Sequence, residues 1–160
     1  MNTNFRRKRP SLGKASLLLF SVLPLLLVGC SGKYKEEKNE LEAAFAAYFE
    51  VSNQVVLTGD TSLAEAVATG DMLEKIETNI EMTGGTLNEV HISTVDVEHA
   101  SDTDAVASIR YEYQEYYIDQ ETGERIYYSD LLYYHTVRVT FVWVSNVWKV
   151  QNIETIDWTK

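Results

Sequence analysis

The apolar positions along this chain follow three rhythms in succession. From Ala15 to Val28 the residues are largely apolar, an uncharged run of about 14. From Tyr34 to about Leu57, Leu41, Ala44, Phe45, Tyr48, Val51 and Val55 recur at spacings of three and four among Glu36, Glu37, Lys38, Glu40 and Glu42, which predicts a long amphipathic helix. Gly59-Asp60 breaks it. Ser62 with Glu65 has the form of a capping box opening a short helix to about Ala68, and Gly70 ends that helix. Asp71 and Glu74 repeat the box, and Leu73, Ile76 and Ile80 stripe a third helix before Gly84-Gly85.

From Glu89 the composition turns to Val, Ile, Thr, Tyr and Trp, with turn signals at Ser101-Asp102, Thr122-Gly123 and Ser145-Asn146. Four antiparallel strands are predicted: Glu89 to His99, Ala105 to Ile118, Arg125 to Val144 and Val147 to Asp157. In the second, Ala105, Ala107, Ile109, Tyr111, Tyr113 and Tyr117 share a dry face and Arg110, Glu112 and Gln114 a wet one. Strands this long must twist, so the fold class is α+β, with N-terminal helices packed on a curved four-stranded antiparallel sheet.

The first apolar run has a different purpose. Arg6, Arg7, Lys8, Arg9 and Lys14 precede it, the arrangement of a secretory signal, and it is shorter than the roughly 20 residues that span a bilayer as a helix. It ends Leu27-Val28-Gly29-Cys30, which resembles the lipobox of bacterial lipoproteins. The resemblance implies a signal peptide at 1–29, a lipidated Cys30 with a short tether at 30–33, and a single domain at 34–160. It also implies attachment through lipid to a cell membrane or outer membrane, on the extracytoplasmic side. Cys30 is the only cysteine, so the domain has no internal disulfide and no cysteine metal site.

Losing residues 1–29 would leave nine basic against 24 acidic residues, a net charge of −15. Such a surface repels nucleic acid and anionic headgroups, and nucleic acid is excluded as a partner. The acidity suits solubility outside the cytoplasm.

The candidate chemistry lies on the dry face. If the hairpin at Thr122-Gly123 pairs Ile118 with Ile126, then Tyr127, Leu131, Tyr133, His135, Val137, Val139, Phe141 and Trp143 join that face. If Ser145-Asn146 is a two-residue turn, Trp148, Val150, Asn152, Glu154 and Ile156 point inward too, with Glu154 diagonal to His135. His135 and Glu154 are then catalytic candidates, a general base and its orienting partner in a pocket lined by Tyr111, Tyr113, Tyr133, His135, Asn152 and Glu154. Alternatively the two form a satisfied polar pair at the rim, or a turn without glycine shifts the register and faces Glu154 outward.

Outward Tyr116, Tyr128 and Tyr134 are the candidate partner patch, since such rings give contact area at low entropic cost. His91, His99 and His135 have no spacing that demands a metal, and Asp119, Glu121 and Glu124 read as a solvated turn rather than a calcium loop. No metal or other cofactor is expected.

Helices followed by a long curled meander resemble the NTF2-like (SnoaL-like, cone-shaped) superfamily, including IMS-type domains. The local likeness lies in Gly59-Asp60 with Leu63, Gly70 with Leu73, and Trp148-Lys149-Val150. The resemblance implies a cone with a pocket, used by some members for catalysis and by many for binding. No catalytic pattern of an enzymatic member transfers. Two functions follow as expectations: a non-catalytic module binding a protein, peptide or small apolar ligand, or a small-molecule isomerase, hydratase or cyclase using His135 and Glu154.

Overall fold

The computed structural model describes the backbone of residues 16–83 and 86–159 and the side chains of 35–78 and 86–159. The basic cluster Arg6 to Arg9, Lys14 and the side chain of Cys30 lie outside what is described. No helix among the described residues is long and apolar enough to cross a membrane. The chain divides into two compact units, Met1–Glu36 and Glu37–Lys160, and the second carries the sheet.

Helix α1 spans Ser16–Thr58, so its helical geometry begins upstream of the expected Tyr34. Its predicted stripe is the buried one: Leu41, Phe45, Tyr48 and Val55 are all at most 8% exposed. Gly59, at φ 70°, ends it. A 3-10 helix, Thr61–Ala66, follows, capped by Asp60 rather than by the expected Ser62. The Asp60 carboxylate accepts from the Ser62 amide at 3.1 Å and also from its hydroxyl, so the serine is occupied as donor. Helix α2, Asp71–Thr83, starts with Asp71 and Glu74 in its first turn, as its N-terminal charge preference requires.

The sheet has five strands: β1 (Leu87–Ala100), β2 (Asp104–Ile118), β3 (Arg125–Tyr127), β4 (Tyr133–Val144) and β5 (Val147–Thr159). All pair antiparallel in the order β1-β2-β4-β5, with β3 a short extra partner of β2. Five strands replace the expected four because the third breaks at 128–132. Ser129 makes the break: its carbonyl accepts from Gln114 Nε2 at 2.8 Å and its hydroxyl from the Leu131 amide at 3.0 Å.

The break also absorbs a slip in register. The loop Asp119–Glu124 closes with Ile118 opposite Arg125, not Ile126, so β3 has the opposite parity from that expected, and Tyr127 and Leu131 leave the dry face. Beyond the break β4 regains it, pairing Tyr113 with Tyr133, Tyr111 with His135 and Ala105 with Phe141.

At the β4–β5 turn, Ser145 and Asn146 adopt φ of 54° and 64°, the left-handed pair a two-residue hairpin needs, and Val144 faces Val147. The ladder then carries two irregularities on β5, one between the Phe141 and Thr140 pairs and one between the Val137 and Thr136 pairs. The core lies between the odd-numbered face of β2 and β4 and the helices. Ala105, Ala107, Ile109, Val137, Val139, Phe141 and Val150 meet Phe45, Leu41, Ala64, Ala68, Met72 and Ile76. Two hydrogen bonds between Asn53 and the backbone of Asn88, at 2.7 and 2.9 Å, pin α1 to the start of β1.

Candidate ligand-binding site

Where the core ends, its side chains change from aliphatic to aromatic without leaving the same face. Phe45 meets Tyr111 edge-on at 5.3 Å, and Phe49 of α1 meets Tyr111 at 5.5 Å and Tyr48 at 5.3 Å. Along the sheet, Tyr113 stacks on Tyr133 at 5.3 Å, and His135 is wedged against both Tyr111 (5.6 Å) and Tyr113 (5.0 Å). The rings form one wall, buried at Phe45 and Tyr111, half-buried at Tyr113, Tyr133 and His135, and open at Trp158, which pairs with His135 across the ladder. Centroid spacings of 5 to 6 Å in tilted and edge-on arrangements are those that aromatic pairs favour.

Beside this wall a cleft of about 710 Å³ opens between α1 and α2. Tyr48, Phe49 and Val56 line it from α1, Met72, Lys75 and Ile76 from α2, and Asn88 from β1. Tyr48 and Phe49 belong to both cleft and wall. Its size suits a small organic ligand, and Ser52, Asp71, Glu74 and Thr78 add polar groups to the lining.

The electrostatics are those of a recognition surface. Burial pushes the Tyr48 hydroxyl up to about 12 and raises those of Tyr111 and Tyr113 as well, so these phenols remain neutral donors at any ordinary pH. Burial also holds His135 below the usual histidine range, favouring the neutral ring. Its Nδ1 lies 3.5 Å from the Tyr111 hydroxyl, at the outer limit of a hydrogen bond.

Among the described residues no carboxylate pairs with His135. The extra residue Gln151 on β5 inverts the strand's parity after Val150, so Glu154 stands opposite Arg138 on the wet face and is exposed. Asn152, opposite Thr140, turns outward by the same step, and Ile153 takes the inward place. The expected pocket of Tyr111, Tyr113, Tyr133, His135, Asn152 and Glu154 therefore keeps its first four members and loses the last two. Ile156 falls in the second irregularity and is 56% exposed.

The tyrosine patch needs a similar correction. Tyr116 is buried opposite its ladder partner Leu87, against Tyr127 at 5.8 Å and beneath the Arg125 guanidinium at 5.0 Å. Tyr117 is the exposed member of that pair and meets Tyr128 at 5.4 Å, while Tyr134 is exposed as expected. The three histidines are not gathered: His91 faces Glu112 on the wet side, His99 pairs with Asp104 at 3.3 Å, and His135 faces inward. In the Asp119–Glu124 turn, the Asp119 carboxylate accepts from the Thr122 amide and hydroxyl and the Glu121 amide, which holds its pKa low.

No family model matches the chain, and no curated protein matches it. Solved structures do. The intermembrane space region of the chloroplast protein ARC6 aligns with a TM-score of 0.55 at 14% identity, over 74% of this chain and 95% of that one. The likeness is one of fold, helices packed on an antiparallel sheet. A Xanthomonas campestris chain described as a calcium/calmodulin-dependent protein kinase II association domain aligns at 18% identity with a TM-score of 0.46, over 69% and 83%. At 14% identity the likeness to the ARC6 region speaks to the fold alone, and the aromatic wall belongs to this chain.

Phe49, Met72, Lys75, Asn88 and Trp158 were not among the expected site residues. Phe49 sits one place beyond the helical stripe that singles out Tyr48. The i, i+4 pair Met72 and Ile76 was the available signal for α2's contribution.

Proposed function

We propose that this protein is a lipid-anchored, extracytoplasmic binding module, non-catalytic, whose concave aromatic wall receives a small apolar ligand or an apolar segment of a peptide. The observation that carries it is the half-exposed ring series Tyr113, Tyr133, His135 and Trp158, continuous through Tyr111 and Phe49 with the 710 Å³ cleft. Rings left part-open to water on a rigid sheet are a standing source of binding energy, because covering them removes apolar area at little conformational cost. The fold supports a binding role as readily as a catalytic one, and the His135–Glu154 pair that an acid–base mechanism required is not assembled.

The anchor rests on Cys30 within Leu27-Val28-Gly29-Cys30 and on the basic segment before it. Several acyl chains on one residue hold a domain at a bilayer without help from its surface charge.

Titration with N-phenyl-1-naphthylamine, a neutral apolar ring compound, tests the binding reading. Saturable binding at one site is expected, weakened about tenfold or more, equivalent to about 1.4 kcal/mol, in Tyr133→Ala with unchanged circular dichroism. Binding by wild type that Tyr113→Ala and Tyr133→Ala both leave intact would sink it. The anchor is tested separately: Cys30→Ser should take up no labelled palmitate and should leave the membrane fraction.

A further inference from the structure

We infer that the tip of the β4–β5 hairpin, Trp143, Val144 and Val147, is a second membrane contact, seated in the bilayer interface beside the lipid anchor. The inference rests on the proposed anchoring at Cys30. Three observations converge on it.

The first is composition. From Val139 to Trp148 ten consecutive residues carry no charge, in a chain where 24% of residues are charged. The inner part of that run is core, but the tip is not: Trp143, Val144 and Val147 are 39%, 40% and 45% exposed around an uncharged Ser145-Asn146 turn. A hairpin tip that projects apolar side chains into water is unusual, and tryptophan is the residue that accumulates where hydrocarbon meets headgroup.

The second is position. Trp143 packs edge-on against Trp148 at 5.1 Å, and the Trp148 indole nitrogen donates to Glu40 of α1 at 3.1 Å. Glu40 lies one turn inside the start of the sheet-bearing unit at Glu37, so the tip sits at the end where the chain arrives from Cys30. Cys30 lies seven Cα steps before Glu37, a distance of at most about 25 Å even when fully extended. An anchored Cys30 therefore keeps this end, and not the Tyr117–Tyr128 end, next to the bilayer.

The third is charge. Asp102 and Asp104 in the neighbouring turn, where the Thr103 carbonyl accepts from the Trp143 amide at 2.8 Å, and Glu40 flank the tip, against Arg138 and Lys149 at the ends of the uncharged run. Lys149 is engaged with the Glu65 carbonyl and Arg138 with Glu98. Nothing here offers free positive charge for anionic headgroups. What the tip offers is aromatic and aliphatic surface on a rigid hairpin, suited to a zwitterionic interface.

The test uses the acylated full chain in phosphatidylcholine vesicles. Because Cys30 is the only cysteine and is blocked by lipid, Val147→Cys gives a single site for an environment-sensitive nitrobenzoxadiazole label, and Tyr128→Cys a control at the other end of β2. The Val147 label should shift to the blue and be quenched at least twofold by headgroup-proximal nitroxide lipids, unchanged in 0.5 M salt. The Tyr128 label should be quenched by aqueous iodide instead. Should labelling disturb the fold, the intrinsic fluorescence of Trp143 in the double variant Trp148→Phe/Trp158→Phe, read with the same quenchers, gives the same decision. Vesicle-bound protein whose Val147 label remains open to iodide overturns the tip contact and leaves the anchor standing. Protein that carries no lipid on Cys30 and does not float with the vesicles overturns the anchor, and the tip contact with it.

Discussion

The two ends of the β2–β4 ladder share strands, register and face, yet they are built for opposite purposes. At one end Ala105 faces Phe141, Ala107 faces Val139 and Ile109 faces Val137, each at most 1% exposed. At the other, Tyr111 faces His135 and Tyr113 faces Tyr133, and exposure rises with every pair. The aliphatic end pairs large with small side chains and so lets the helices approach and exclude water. The aromatic end keeps its width, and its rings support one another instead of being fully covered. Stability is concentrated where nothing can bind, and binding surface where little stability is at stake.

The largest effect that should separate them is truncation at the closed end. Phe141→Ala removes a fully buried ring and should cost about 3–5 kcal/mol in urea denaturation, enough to threaten folding. Ala107→Leu, the opposite insult at the same end, should cost about 1–3 kcal/mol by overpacking, because Ala107 is 0% exposed and has no room to grow. Tyr133→Ala at the open end should cost clearly less than Phe141→Ala while removing most of the affinity for an apolar probe. Equal stability losses for Phe141→Ala and Tyr133→Ala would break the comparison outright.

The closed end was readable from the residues and the rim only partly so. The stripe Leu41, Phe45, Tyr48 and Val55 and the alternation Ala105 to Tyr111 are properties of helix and strand periods, which local sequence carries. In β1 the alternation of apolar residues breaks between Ile92 and Val95, and the ladder is irregular there, between Ile92 and Thr94. In β5 the apolar residues Val150, Ile153 and Ile156 fall three apart, the signature of one extra residue per repeat, but the hairpin turn at Ser145-Asn146 suggested an uninterrupted period of two. Strand β3 failed for another reason. Its slip goes with a bond from the Gln114 side chain to the Ser129 carbonyl, which connects residues 15 apart, and no local pattern encodes it.

Deleting Gln151 sharpens the point about register. Without that residue Asn152 would follow Val150 directly in the ladder, so Ile153 should stay opposite Val139 on the inner face and Glu154 opposite Arg138 on the wet face, with the bulge gone. The expected result is a change in urea stability of less than about 1 kcal/mol, since no inward side chain is exchanged. A deletion variant that loses several kcal/mol would mean that the register beyond Val150 depends on the bulge itself.

The smallest expected effect concerns the one ionisable ring in the aromatic wall. Burial lowers the folded-state pKa of His135, so as pH falls through about 6.5 the unfolded chain takes up the proton first and the folded state loses stability. The loss grows until pH drops below the lowered folded value and then levels off. Acidification also relieves repulsion in a domain this acidic, which acts in the opposite direction and masks the histidine in a wild-type curve alone. The comparison with His135→Gln removes that background, because both proteins carry the same carboxylates. Urea midpoints measured from pH 8 to pH 5 should fall more for wild type than for the variant, by a small margin because His135 is only half-buried. The opposite sign would mean that His135 gains an anionic partner on folding, and the wall would then be an ion-pair site rather than an aromatic one.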